Sequence, residues 1–249
     1  MTAALRAAAL SKRFGDFCAN DGISLELAPG ERHALIGPNG AGKTTFVNLL
    51  TGVLRPSAGE VYLGAERLTA LPQHQRVQRG LARTFQINNL FGGLSVLDSV
   101  LLAICQRHGL GGSWFRPLRS RKEPEREAWA LLERLRLTGE ARLLTRQLAY
   151  GKQRLLELAL GLATNPRVLL LDEPASGIPA GESREMFEVI AALPRDVTVL
   201  FIEHDMDLVF RFAERISVLV GGRLLMQGRP EEVARDPRVR EVYLGEAEP

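Results

Sequence analysis

Apolar and polar positions follow three successive rhythms along the chain. From Ile23 to Leu27 they alternate, which predicts a strand with one buried face, and Ala28-Pro29-Gly30 then turns the chain. Arg32 to Ile36 predicts a second strand and Glu60 to Leu63 another. After the second strand, Gly37 to Thr45 is rich in glycine and opens a helix, Thr44 to Leu50, closed near Gly52. From about Asn88 to Leu162 the apolar spacing shifts to three and four. Ser95 to Ala103 and Glu125 to Leu137 read as helices, and Leu148-Ala-Tyr-Gly-Lys-Gln153 opens a third that runs to about Leu162. The basic stretch from Gln106 to Lys122, with Trp114 and Phe115, reads as a solvated surface loop rather than a contact for nucleic acid or lipid.

Past Pro166 strand and helix alternate again. Val168 to Leu171 and Val197 to Ile202 are continuous apolar runs, as strands buried on both faces should be. Glu182 to Leu193 is a helix between them, and Arg215 to Val220 with Arg223 to Gln227 form a hairpin at Gly221-Gly222. Because β/α pattern flanks the helical stretch on both sides, the chain reads as one α/β domain. Residues 1–87 and 163–249 would form its core, with 88–162 an inserted helical unit.

Composition changes this picture little. The chain has 249 residues, 45% hydrophobic and 24% charged, which excludes disorder and fibrous repeats and suits a globular domain. No run approaches the length of a membrane-spanning helix, and Met1 to Phe14 makes a poor secretory signal. Two cysteines, Cys18 and Cys105, cannot form a disulfide framework, and a net charge of +3 is too small to argue for nucleic acid. The expectation is a soluble intracellular protein.

Chemistry enters with Gly37-Pro38-Asn39-Gly40-Ala41-Gly42-Lys43-Thr44, which fits G-x-x-x-x-G-K-[ST] after a strand and at a helix start. Glycines let successive N–H groups point at phosphate oxygens, and the helix N-terminus adds partial positive charge. Lys43 would neutralise the β- and γ-phosphates, and the Thr44 hydroxyl, followed by Thr45, would ligate Mg²⁺. Asp172 and Glu173 end a buried strand, where ligands bind in open α/β sheets. Asp172 would hold Mg²⁺ and Glu173 would polarise an attacking water. Gln86, His204 and the Leu148 to Gln153 segment are weak signals singly; their order around the two nucleotide motifs makes them strong.

This set resembles the nucleotide-binding domain of ATP-binding cassette (ABC) transporters, over essentially the whole chain. Gln86 matches the family's glutamine loop, Leu148 to Gln153 its signature, Ala175 to Pro179 the loop after the acidic pair, and His204 the switch histidine. Phe14 lies where the family places an aromatic under adenine. The resemblance implies a P-loop NTPase core with an antiparallel β subdomain and an inserted α-helical subdomain. It implies catalytic roles for Lys43, Gln86, Glu173 and His204, metal contacts from Thr44, Gln86 and Asp172, and a dimer in which Ala149 and Gly151 face the partner's ATP. Arg83 to Phe91, Ala149-Tyr150-Gly151, Val197 to Asp207 and Asp236 to Gly245 are similar to one branch, the subunits serving importers of branched-chain amino acids, urea and amides. That branch implies a second, commonly different ATPase subunit, two membrane permeases, a periplasmic solute-binding protein, and a place on the cytoplasmic face of the bacterial inner membrane. Leu90, Phe91 and Leu94 would help receive a short helix of the permease. ATPases of lipid or lipopolysaccharide extraction and iron–sulfur assembly share most of the motifs and stay open as alternatives.

Two positions depart from the family pattern. Ala149 stands where a serine is usual, and Pro179 where Asp or Asn is usual; both lie on the surface that completes the partner's site. Two readings follow: the two ATP sites are unequal, or backbone donors suffice and both hydrolyse.

Overall fold

The computed structural model describes residues 3–84, 90–110 and 122–244. It opens with a long antiparallel pair, β1 (Leu5–Phe14) and β2 (Phe17–Leu27). Next come β3 (Arg32–Ile36), α1 (Lys43–Thr51), β4 (Ala58–Leu63), β5 (Glu66–Arg67), α2 (Gln73–Gln78) and β6 (Leu81–Arg83). Three helices follow: α3 (Val96–Arg107), α4 (Lys122–Arg134) and α5 (Tyr150–Ala163). The remainder is β7 (Val168–Asp172), α6 (Ala180–Ala191), β8 (Thr198–Ile202), α7 (Met206–Phe212), β9 (Arg215–Val220), β10 (Arg223–Gly228), α8 (Pro230–Arg235) and α9 (Pro237–Leu244).

The strands form two sheets, an antiparallel one in the order β2-β1-β4-β5 and a six-stranded one in the order β10-β9-β3-β8-β7-β6. The second is parallel from β9 to β6, and β10 closes its edge antiparallel. Its apolar runs split by alternation. Val168 and Leu170 of β7, with Leu200 and Ile202 of β8, pack toward the antiparallel sheet and α1. Leu169, Leu171, Val199 and Phe201 pack toward α3 to α7. The parallel sheet is thus a middle layer buried on both faces, which is why its strands carry no polar alternation. Among the described residues, no helix is long and apolar enough to cross a membrane.

Several boundaries differ from the sequence reading for local reasons. β1 was not expected. Its buried residues Leu5, Ala7 and Leu10 break strict alternation because the register slips between Ala7 and Leu10, where Ala9 takes a φ of 49°. α3 runs through Arg107, into the expected loop, with Ser95 capping it by accepting from the Asp98 N–H. α4 starts at Lys122, three residues early, because Pro124 is tolerated in a first helical turn. Residues 111–121, with Trp114 and Phe115, lie outside the described residues.

The helix α2 was also missed, since its sequence QHQRVQ shows no apolar face. Its service is to bury Arg76, whose guanidinium donates to the carbonyls of Leu49 (2.8 Å) and Leu50 (2.6 Å) near the end of α1, and to Thr69 and Leu71. A side chain from another helix therefore satisfies carbonyls that the end of α1 leaves without intrahelical partners. Burial pushes the pKa of Arg76 down to about 10.

Candidate active site

The loop from Gly37 to Gly42 joins the end of β3 to α1, and its path depends on two glycines. Gly42 is the N-cap of α1 at φ 92°, and a Cβ there would lie 2.5 Å from the Ala19 carbonyl oxygen and 2.6 Å from Asn20 Nδ2. At Gly37, φ 154°, a Cβ would overlap the carbonyl oxygen of Leu219. The buried Asn20 amide donates to the Gly42 carbonyl (3.1 Å), and the Gly222 N–H at the β9–β10 turn donates to Ala41 (3.1 Å). β2 and the hairpin thus hold the loop from outside. Lys43 is buried and its Nζ donates to the Gly37 (2.6 Å) and Pro38 (3.0 Å) carbonyls. No side chain caps α1, so its first N–H groups remain available to an anion.

This loop lines a cleft of about 330 Å³. Residues 39–45 form one wall, Phe17 and Ala19 of β2 a second, and Glu173 with His204 a third. The last two meet because β7 and β8 are neighbours, with Asp172 opposite Ile202. Glu173 takes φ 49°, a conformation costly for a residue with a side chain, and its N–H bonds the Ile202 carbonyl. His204 Nε2 lies 2.9 Å from Glu173 Oε1. Behind them the buried Glu203 carboxylate accepts the N–H of Ala175 (2.9 Å) and of His204 (3.2 Å). It ties the loop after Glu173 to the histidine. Burial drives the Glu203 pKa above the ordinary carboxylate value; the two N–H groups oppose this and neighbouring Glu173 adds to it.

Asp172 is buried, and Arg83 at the end of β6 donates to its Oδ2 and to Asn48 Oδ1 of α1 (2.6 Å). Asp172 Oδ1 is buried with no hydrogen-bond partner. An orphaned carboxylate oxygen and a hydroxyl such as that of Thr44 are oxygen donors of the kind a hard divalent cation such as Mg²⁺ takes. Arg83 links the helix of Thr44 to Asp172, which itself is not among the cleft-lining residues. Gln86, the third expected ligand, lies outside the described residues.

Other expected site residues fall elsewhere. Phe14 is not among the residues lining the cleft; it stands at the β1–β2 turn with the Lys12 ammonium 5.0 Å from its ring centroid, and its cross-strand partner Phe17 lines the wall instead. As direct cross-strand partners at the hairpin end the two rings lie on the same face of the pair, with Phe17 the one that reaches the cleft. Ala149 and Gly151 also lie outside the lining of this cleft. Ala149 is the N-cap of α5 and Pro179 that of α6, neither with a side-chain cap. Tyr150 connects them: its hydroxyl donates to the Ser176 carbonyl (3.2 Å) and accepts from Arg154 (2.6 Å). A second, apolar groove of about 240 Å³ runs between α2, β6 and α5, lined by Val77, Leu90 and Leu160 among others, with Phe91 exposed nearby. Sequence reasoning missed Phe17, Asn20, Arg83 and Glu203 as site residues. The available signals were proximity only: Glu203 precedes His204, and Arg83 is three residues before Gln86.

Comparison with known proteins agrees with this arrangement. The ABC transporter family pattern matches residues 20–176, and that of the branched-chain amino acid ATP-binding cassette transporters matches residues 223–249. The chain is 41% identical over 247 residues to the high-affinity branched-chain amino acid transport ATP-binding protein LivG of Escherichia coli, covering 96% of each. It is 40% identical over 251 residues to its counterpart BraF of Pseudomonas aeruginosa, covering 98% of each. Among solved structures, the ADP conformation of MJ1267, an ATP-binding cassette of an ABC transporter, superposes with a TM-score of 0.86 at 30% identity, covering 98% of this chain and 99% of that one. With loop, acidic strand end and histidine around one cleft and these full-length likenesses, the chain belongs to the ABC transporter family, as an ATP-binding cassette.

Proposed function

We propose that this chain is the ATP-hydrolysing subunit of an importer for branched-chain amino acids or a related small solute such as urea or an amide. The observation that carries this reading is the near full-length similarity to LivG and BraF, relatives named for branched-chain amino acid transport. ATP would lie in the cleft with its phosphates on the N–H groups of residues 39–45 and its base on Phe17. Lys43 would exchange its two carbonyl partners for phosphate oxygens. Thr44 and Asp172 would hold Mg²⁺, which when bound offsets phosphate charge. Glu173, oriented by His204, would accept a proton from the water that attacks the γ-phosphorus as the bond to the β-phosphate oxygen breaks and ADP leaves. Positioning and electrostatics supply most of the catalysis in such a transfer.

Ala149 and Gly151 would complete the ATP site of a second cassette subunit, since they stand apart from this chain's own cleft. The apolar groove beside Leu90 would receive a segment of a membrane permease, placing the protein on the cytoplasmic face of the membrane. Reconstitution tests the whole reading. Reconstituted with its cognate permeases and solute-binding protein, the chain should drive uptake of leucine into proteoliposomes only with ATP, and Glu173→Gln should abolish that uptake. ATP hydrolysis that no branched-chain amino acid, urea or amide couples to uptake would overturn it.

A further inference from the structure

Arg83 is a charged side chain that the ATPase mechanism above does not use, yet it joins both elements that would hold the metal. Its guanidinium spans from β6 to Asp172 on β7 and to Asn48 on α1. Asn48 is four residues after Thr44, so the two share a face of the helix. The ion pair is largely out of water: the Arg83 side chain is 12% exposed and that of Asp172 1%. Asp172 keeps one oxygen, Oδ1, buried and without a hydrogen-bond partner while Arg83 engages the other.

We propose that Arg83 is a positioning residue that competes with the divalent cation for Asp172. Its charge holds the carboxylate in the cation-free protein and weakens metal binding there, because two positive charges must share one buried carboxylate. When metal and nucleotide bind, the fork shifts its weight toward Asn48. Arg83 is also among the residues lining the apolar groove beside Leu90. This inference rests on Asp172 as a metal ligand.

The sign of the effect separates competition from simple support. If Arg83 only propped Asp172 in place, removing it would weaken metal binding; competition predicts the reverse. The measurement is the dissociation constant of a fluorescent, non-hydrolysable ATP analogue, taken in Mg²⁺ and in EDTA on the purified full-length chain. The EDTA-to-Mg²⁺ ratio reports how much the metal contributes. In Arg83→Gln the ratio should rise by about tenfold or more, as loss of one positive charge near the cation implies. Arg83→Lys keeps the charge without the fork, and its ratio should fall between wild type and Arg83→Gln. It provides the test if Arg83→Gln does not fold. An unchanged or smaller ratio in either folded variant overturns the proposal. Asp172→Asn checks the premise separately: it should abolish the metal preference, and if it does not, the ligand assignment fails rather than the competition.

Discussion

The phosphate loop and the Leu148 to Gln153 segment both lead into helix N-termini without a side-chain cap, and only the first faces a cleft within this chain. At α1 the loop is held by Asn20 and by the Gly222 N–H, the Arg76 guanidinium secures the far end of the helix, and the loop faces Glu173 and His204 across a cleft. At α5 the first turn starts at Ala149 with no side-chain cap, and its polar ties to other elements are side-chain contacts at the surface, the Tyr150 hydroxyl on Ser176 and Lys152 on Arg136 and Glu140. A site completed inside one chain can be pre-organised by that chain's core. A half-site of the kind proposed for α5 cannot, because its ligand and the opposing groups would arrive on another surface. The contrast teaches where rigidity is built into the fold and where it is left to assembly.

Changes on the finished side should have the larger effects. Glu173→Gln should lower steady-state ATP hydrolysis by about 100-fold or more while leaving ATP binding intact, because the acceptor for the water proton is lost. Near-normal turnover would remove Glu173 from its role. Arg76→Met removes four hydrogen bonds, two to the end of α1 at Leu49 and Leu50 and two to Thr69 and Leu71. It should cost about 3 kcal/mol or more, a fall in melting temperature of roughly 6–12 °C, read by circular dichroism. Phe17→Ala should weaken ATP binding roughly 5- to 100-fold through lost stacking, and Phe14→Ala should leave it unchanged. The opposite ranking in a binding titration would return the base to Phe14.

On the unfinished side the expected shifts are smaller. Ala149→Ser gives α5 a working N-cap and should stabilise the chain by about 1 kcal/mol, raising the melting temperature by roughly 2–4 °C. No rise would mean that the first turn of α5 is already satisfied, and the comparison with α1 would lose its force. Last, Glu203, which ties the loop after Glu173 to His204, couples stability to pH. Its folded pKa is raised by burial, so protonation favours the fold; the contribution is present below the unfolded carboxylate value and is lost as pH rises through the folded one. Glu203→Gln should therefore melt progressively higher relative to wild type as pH climbs past the ordinary carboxylate range. A difference independent of pH would exclude this titration.

Much of this was legible beforehand because it is local. A glycine loop between a strand and a helix, and an acid at the end of an apolar strand, carry their geometry in their spacing. The insertion of α3 to α5 showed as a change of period. β1 and α2 were not legible: a register slip hides the alternation of one, and the other is a polar helix that exists to deliver Arg76. That Phe17 rather than Phe14 lines the cleft was not legible either, because the two aromatics are cross-strand partners at one hairpin end and only the path of the turn decides which reaches the cleft.

By itself the sequence determined the cleft's first wall and its acidic edge, since residues 37–45 and 172–173 act through their own backbone and immediate neighbours. Only the tertiary structure decided what stands opposite and beneath. The parallel register of β7 with β8 sets Glu173 against His204, 31 residues apart, and that of β6 with β7 brings Arg83 to Asp172, 89 residues apart. Those pairings come from burying apolar runs on both faces of one sheet, which is a property of the packed whole and of no segment within it.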